Sequence, residues 1–220
     1  MVSRLPKWIW FGGAVLAFNA GMINVIAFMS FAHQAASHMT GIFTHLSIEI
    51  YQKDRSATWQ AGVALLSFFI GAMICGILIR DAHLRMGRRY SLALFIESGL
   101  LAAATFLFYR KNIWGEYLAC MAAGLQNAMV STYSGTIVRT THMTGVLTDF
   151  GSLIGQWLVG IKVERAKLEL LFGLMISFFW GGVAGGFLYQ RVEYMAMIIP
   201  SFIVGCAGLG YLVIRHFKSR

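Results

Sequence analysis

The sequence predicts an all-α integral membrane protein: six spanning helices plus two short polar helices, broken or re-entrant, built as an internal duplication of inverted halves. Three observations carry this. Hydrophobic residues make up 58% of the 220 and charged residues 12%, against about 45–50% and about 25% in an ordinary soluble domain. Six apolar stretches approach or exceed the roughly 20 residues that cross a bilayer core as a helix. Short polar motifs of the first half return in the second. At about 27 residues per span and loop, the chain holds at most about eight crossings and no sizeable soluble domain. Residues 1–220 therefore read as a single transmembrane domain, with repeat one over about 8–110 and repeat two over about 113–215.

The first apolar run, about 8–33, follows Lys7; it exceeds a signal core and lacks a small-residue cleavage site, so it is expected to remain as the first helix. The segment 38–52 is helical in pattern but carries His38, Thr40, Thr44, His45, Ser47 and Glu49. Runs at 58–79, 91–109 and 113–133 are apolar spans, and Glu97 is the lone acid between Ser91 and Phe108. The segment 142–160 is the second polar helix, with His142, Thr144, Thr148, Asp149, Ser152 and Gln156; spans at 168–189 and 194–214 complete the chain. Lipid does not tolerate such polar density, so both short helices are expected to face protein or a water-filled cavity. Cys75, Cys120 and Cys206 lie in apolar runs without paired spacing and read as packing residues.

The repeat is specific. Ser37-His38-Met39-Thr40-Gly41 and Thr44 return as Thr141-His142-Met143-Thr144-Gly145 and Thr148, shifted by 104. Ala20-Gly21-x-x-Asn24 returns as Ala123-Gly124-x-x-Asn127 at 103, and Ser67-Phe68-Phe69-x-Gly71-x-x-x-x-Gly76 as Ser177-Phe178-Phe179-x-Gly181-x-x-x-x-Gly186 at 110. Such order points to duplication. The four glycines of the last motif are expected to allow close helix approach. If the short helices re-enter, the copies are inverted and six crossings put thirteen Lys and Arg on one side and five on the other; eight crossings give twelve and six. The positive-inside rule favours six, with both termini cytoplasmic. It also explains the net charge of +9, so no nucleic-acid partner is expected. Arg80, Asp81 and the Arg85 to Arg89 cluster read as a cytoplasmic anchor, and Trp8, Trp10, Trp59, Trp114 and Trp157 as interface belt.

The stretch Ala20-Gly21 to Thr40-Gly41, and Gly124-Leu125-Gln126-Asn127 followed by Val138-Arg139-Thr140-Thr141 and Thr144-Gly145, resemble the YoaK-like family of bacterial inner-membrane proteins. The resemblance implies six helices, an inner-membrane location and an unknown function, often presumed to be transport. Two positions depart from the family's pattern, which often has an acid at the place of Asn24 and Asn at that of Ile42.

On their own physics, Ser37 and Thr141 are suitable N-caps, so His38 and His142 sit at helix starts held at membrane depth, with Arg139 close by. Such starts favour an anionic group. The duplication sets His45 against Asp149, a base opposite an acid, and gives Asn24 and Asn127 equivalent places lining a pathway or gluing helices. Glu97 is the coupling candidate, with Ser201 opposite it in the repeat. These residues, namely Asn24, His38, Thr40, Thr44, His45, Asn127, Arg139, His142, Thr144, Thr148 and Asp149 with Glu97, predict a small secondary transporter or permease for a small polar solute, an anionic one by preference. The two short-helix starts are expected to meet near the membrane centre. A channel shares these elements. A metal-dependent intramembrane enzyme would need His38, His45, Glu49, His142 and Asp149 as ligands, without HExxH-type spacing. A scaffold role is the fourth reading. No enzyme activity, cofactor or bound metal is expected; the partners are the lipid bilayer, a small-molecule or ion substrate and, optionally, a second copy in a homo-oligomer.

Overall fold

A computed structural model describes residues 7–31, 33–79, 88–134 and 138–218. The basic loop at 80–87, with Arg4 and Arg220, lies outside them. The described chain forms helices α1 (Lys7–Met29), α2 (Met39–Gln52), α3 (Arg55–Leu78), α4 (Arg88–Tyr109), α5 (Trp114–Ser134), α6 (Met143–Leu158), α7 (Arg165–Val192) and α8 (Ile198–Lys218). A short 3-10 helix, Glu193–Met197, separates the last two. No strand is present among the described residues. By length and composition, Trp8–Met29, Arg55–Leu78, Arg89–Tyr109 and Arg165–Ile214 can cross a membrane. The last stretch, 50 residues long, is two helices. The chain reverses at Glu193, whose φ is 47°, so that Tyr194 meets Phe31 while Tyr211 meets Trp8.

Two glycine-mediated crossings organise the helices. On α1 and α7, Gly21 lies on the Phe178 carbonyl and Gly181 on the Phe18 carbonyl. On α5 and α3, Gly124 lies on the Phe68 carbonyl and Gly71 on the Met121 carbonyl. Any Cβ at these four positions would drive into a backbone oxygen, so only glycine lets the backbones approach this closely. Further contacts of Gly13 with Leu174, Gly185 with Met22 and Gly186 with Val25 keep the same order along both chains, so α1 and α7 run parallel. The expectation of close approach thus holds for Gly71 and Gly181. It fails for Gly76, which is exposed with nothing within 4 Å of an added Cβ, because it lies off the packed face of α3. Gly186 makes only ordinary contacts, 3.7 Å to Val25 and 3.8 Å to Met29.

Helices α4 and α5 form a hairpin closed by the turn at Arg110 to Ile113, with Gly115 against Ala104 and Phe108. Helices α4 and α8 run antiparallel: Ser98 faces Ser201 and Gly205, while Leu94 and Phe95 face Gly208. Their seam carries a reciprocal pair. The Ser98 hydroxyl donates to the Ser201 carbonyl at 2.8 Å, and the Ser201 hydroxyl to the Ser98 carbonyl at 2.7 Å. The repeat reading set Glu97 opposite Ser201; the structure pairs Ser98 with it instead, a register of 103. The aromatic clusters mark two ends. Trp8, Tyr90 and Tyr211 gather the starts of α1 and α4 with the end of α8, and Phe31, Phe108 and Tyr194 gather the opposite ends.

Candidate functional site

The two short helices begin at depths within the length of the bundle, with their start residues His38 and His142 themselves exposed. Helix α1 ends at Met29, and the chain then folds back through Ser30, whose N–H reaches the Ile26 carbonyl, and His33, at φ 52°. Asn24 catches it there: its amide donates to the Ser37 hydroxyl at 2.8 Å and its carbonyl accepts from the Ser37 N–H at 2.9 Å. Asn24 lies five residues before the end of α1, so α2 starts about 8 Å inside that end. In the second half the chain is caught one residue earlier. The buried Gln126 donates to the Thr140 hydroxyl at 3.0 Å and to the Leu16 carbonyl at 3.1 Å. Gln126 lies eight residues before the end of α5, so α6 also starts about 12 Å inside. Ser134 supports the reversal by donating to the Val130 carbonyl and accepting from the Val138 N–H.

Both starts share one conformation. The N-caps are His38 (φ −89°, ψ 62°) and His142 (φ −87°, ψ 63°), not Ser37 and Thr141, and neither cap makes a side-chain hydrogen bond. The Ser37 hydroxyl is engaged by Asn24, and in the second half Gln126 holds Thr140 rather than Thr141. Each imidazole folds back over the first turn, where Gly41 and Gly145 leave room for it. The His-Met-Thr-Gly motif is thus a local device: the glycine accommodates the histidine ring. The uncapped first-turn N–H groups carry the partial positive charge of a helix start. At the second start the Arg139 guanidinium is 3.4 Å from His142 Nδ1; this contact requires Nδ1 to accept, placing the ring proton on Nε2. Ala35 holds the place of Arg139 in the first half, so the second start is the more cationic.

The remaining predicted residues are dispersed. Thr40, Thr44 and His45 on α2, and Thr144, Thr148 and Asp149 on α6, are exposed. Neighbouring helices of the chain therefore do not cover these groups. The hydroxyls are satisfied within their own helices: Thr44 bonds the Thr40 carbonyl at 3.0 Å, Ser47 the Phe43 carbonyl at 3.0 Å and Thr148 the Thr144 carbonyl at 2.9 Å. Helix α2 packs on α3 and α6 on α7, and the two do not pack on each other. His45 and Asp149 are therefore not brought together. The anchors of the two starts on α1, Asn24 and Leu16, are eight residues or about 12 Å apart along its axis. Asn127 is half-buried and does not clamp Thr141; among the described residues, Asn24 is the one of the two repeated asparagines bonded to the loop after its helix. The proposed metal ligands do not gather: no group of three or more His, Cys, Asp or Glu stands close enough for a metal among the described residues.

Sequence reasoning missed Gln126, Ser98 and two further groups. Asn19 is wholly buried with neither amide atom bonded, and Glu116 is buried with one carboxyl oxygen unbonded. Their signal was a polar side chain inside an apolar run, as for Glu97. A cavity of about 540 Å³ opens between Phe31, Gln60 and the turn at Arg110 to Ile113, and another of about 660 Å³ lies along α2 and α3 near Leu46, Arg55 and Trp59. Neither contains a predicted site residue.

Comparison with known proteins follows this geometry. A family model described as a protein of unknown function (DUF1275) matches residues 12–210. The chain is 29% identical to the UPF0700 transmembrane protein RA0705 of Rhizobium meliloti (strain 1021) over 208 residues, 94% of this chain and 88% of that protein. It is 23% identical to the UPF0700 transmembrane protein YoaK of Bacillus subtilis (strain 168) over 141 residues, 62% of this chain and 63% of that protein. No solved structure matches.

Proposed function

Since this chain belongs to the DUF1275 family and is a YoaK-like helical membrane protein, we propose that it is a small secondary transporter or permease for a small polar solute, with an anionic solute preferred. One observation carries the reading. Two half-helices start within the length of the bundle at equivalent positions of two halves, each with an uncapped histidine start, which is the arrangement that secondary carriers use to hold a solute at the midplane. Arg139 beside His142 supplies the cationic bias. The substrate-binding groups are those of the two starts: His38, His142 and Arg139 directly, with Asn24 and Gln126 holding the starts in place.

The architecture that goes with this reading is an inverted duplication of six crossings, α1, α3, α4, α5, α7 and α8, with α2 and α6 as half-helices. Its support is the twinned crossings. The contacts of Gly21 with Phe178 and Gly181 with Phe18 become those of Gly124 with Phe68 and Gly71 with Met121 when the repeat shifts are applied. Helix α5 joins the set despite its polar content, because its Glu116 and Gln126 are buried against neighbouring helices rather than facing lipid. The location that follows is a bacterial inner membrane with both termini cytoplasmic, and the activity is transport rather than catalysis.

The test is uptake by proteoliposomes, screened first by thermal shift against panels of small anions and cations, since a ligand of the folded state raises its apparent stability. Saturable uptake of an anion is expected. Arg139→Ala should weaken it about tenfold or more, the loss of one charge-assisted contact, and His38→Ala or His142→Ala should also weaken it. Conductance without saturation would favour the channel instead, and cation-only binding would defeat the anion preference. Unchanged uptake in all three variants would remove the site assignment.

A further inference from the structure

We propose that Glu97 is a proton-binding site at the centre of α4, taking up and releasing a proton during the working cycle. Glu97 is the tenth of the 22 residues of α4, about 14 Å from the start of the helix. It is 0% exposed, and neither carboxyl oxygen has a hydrogen-bond partner. The surrounding polar groups are treated differently by the fold. Ser98, the next residue, is paired reciprocally with Ser201, and the buried Thr105 donates to the Leu101 carbonyl at 2.8 Å. The neighbouring hydroxyls on α4 are thus bonded, while the Glu97 carboxyl is left without compensation among the described residues.

An uncompensated carboxylate in an apolar interior is costly, and an apolar side chain of similar volume would pack there at no such cost. Ionisable groups kept inside a membrane against that cost mark ion or proton pathways. Of the elements packed on α4, namely α3, α5, α8 and the 3-10 helix, α3 supplies the titratable group within electrostatic reach, Cys75; α5 and α8 present none to it among the described residues. With no cation facing it among the described residues, the group that relieves the charge is a proton. The step is a simple acid–base exchange: a carboxylate oxygen lone pair takes a proton from hydronium, whose O–H bond breaks to leave water, and release to water reverses it. Gly205, 3.1 Å from the Ser98 hydroxyl when given a Cβ, and Gly208 against Leu94 and Phe95 keep the seam beside this carboxyl closely packed. A change of charge at Glu97 therefore falls one residue along α4 from that packed contact. The site stands on burial and position; only its coupling to a solute rests on the transport reading.

The probe is dicyclohexylcarbodiimide, an apolar reagent that modifies protonated carboxyls in water-poor surroundings. Full-length protein in lipid nanodiscs is treated between about pH 5 and about pH 9, and modification is read by peptide mass mapping, which separates Glu97 from the second buried carboxyl, Glu116. Glu97 should be modified, with a rate that falls as the pH rises across that range, because only the protonated carboxyl reacts. Glu97→Gln should abolish the modified peptide; if that variant does not fold, Glu97→Asp should retain the pH-dependent modification. A rate flat across the range, or no modification of Glu97, overturns the proposal by making the residue a fixed packing group. Flat modification with intact uptake defeats the proton site alone, whereas pH-dependent modification without uptake of any panel solute defeats the transport reading alone.

Discussion

Asn24 illustrates how one side chain can look like a ligand and act as a fastener. A polar amide in a first membrane helix invites a pathway role, yet both of its functional atoms are spent on Ser37. Asn24→Ala should free the α2 start at a cost of about 1–3 kcal/mol, the range for two buried hydrogen bonds lost together. The measurement is the thermal unfolding midpoint in detergent, paired with the reactivity of Ser37→Cys toward a water-soluble thiol reagent, which should rise in the Asn24→Ala background. Asn24→Asp should fall near the wild type, because a carboxylate accepts both from the Ser37 N–H and from its hydroxyl. Equal loss from Ala and Asp would show that the amide has a partner beyond Ser37. This distinction was not legible in the sequence, where Asn24 and Asn127 look alike; only the fold reveals that Gln126, one residue earlier, does the corresponding work on the other half.

At the scale of elements, the helices were legible because apolar length and polar interruption decide what can cross a bilayer. The helix starts were not, since Ser37 and Thr141 have the chemistry of caps, yet Ser37 is engaged by Asn24 and the role passes to His38 and His142. The glycines show the same division. Their spacing announced close packing, but whether a given glycine faces a neighbour depends on the rotation of its helix, which a short motif does not fix. Gly21→Val and Gly124→Val should each destabilise the protein by about 2 kcal/mol or more, because the added side chain meets a backbone carbonyl that cannot rotate away. Gly62→Ala, with open space around it, should be neutral or stabilising by up to about 1 kcal/mol through helix propensity. Unfolding midpoints of the three variants test this. Tolerance of valine at both Gly21 and Gly124 would contradict the twinned crossings on which the duplication rests.

For the whole molecule, the basic-residue count and the aromatic clusters are independent routes to one topology. Counting depends on composition alone, and places the turn at Arg110 to Ile113 on the side poor in Lys and Arg. The clusters depend on packing alone: Phe31 against Phe108 and Tyr194 puts that turn at the end opposite Trp8, Tyr90 and Tyr211. In the proposed arrangement α8 ends beside the start of α1, which requires an even number of crossings, and the half-helices add none. Asn112→Cys in intact cells should therefore react with a membrane-impermeant maleimide once it has passed the outer envelope, whereas Ser219→Cys should react only after the inner membrane is opened. The three native cysteines must first be replaced by serine or alanine; Cys75 and Cys120 are buried but Cys206 is exposed on α8 and would confuse the assay. Labelling of Asn112→Cys and Ser219→Cys from the same side would mean that α6 crosses fully. With α2 crossing likewise the copies would run parallel, and the two histidine starts would lose the inverted relation on which the proposed shared site depends.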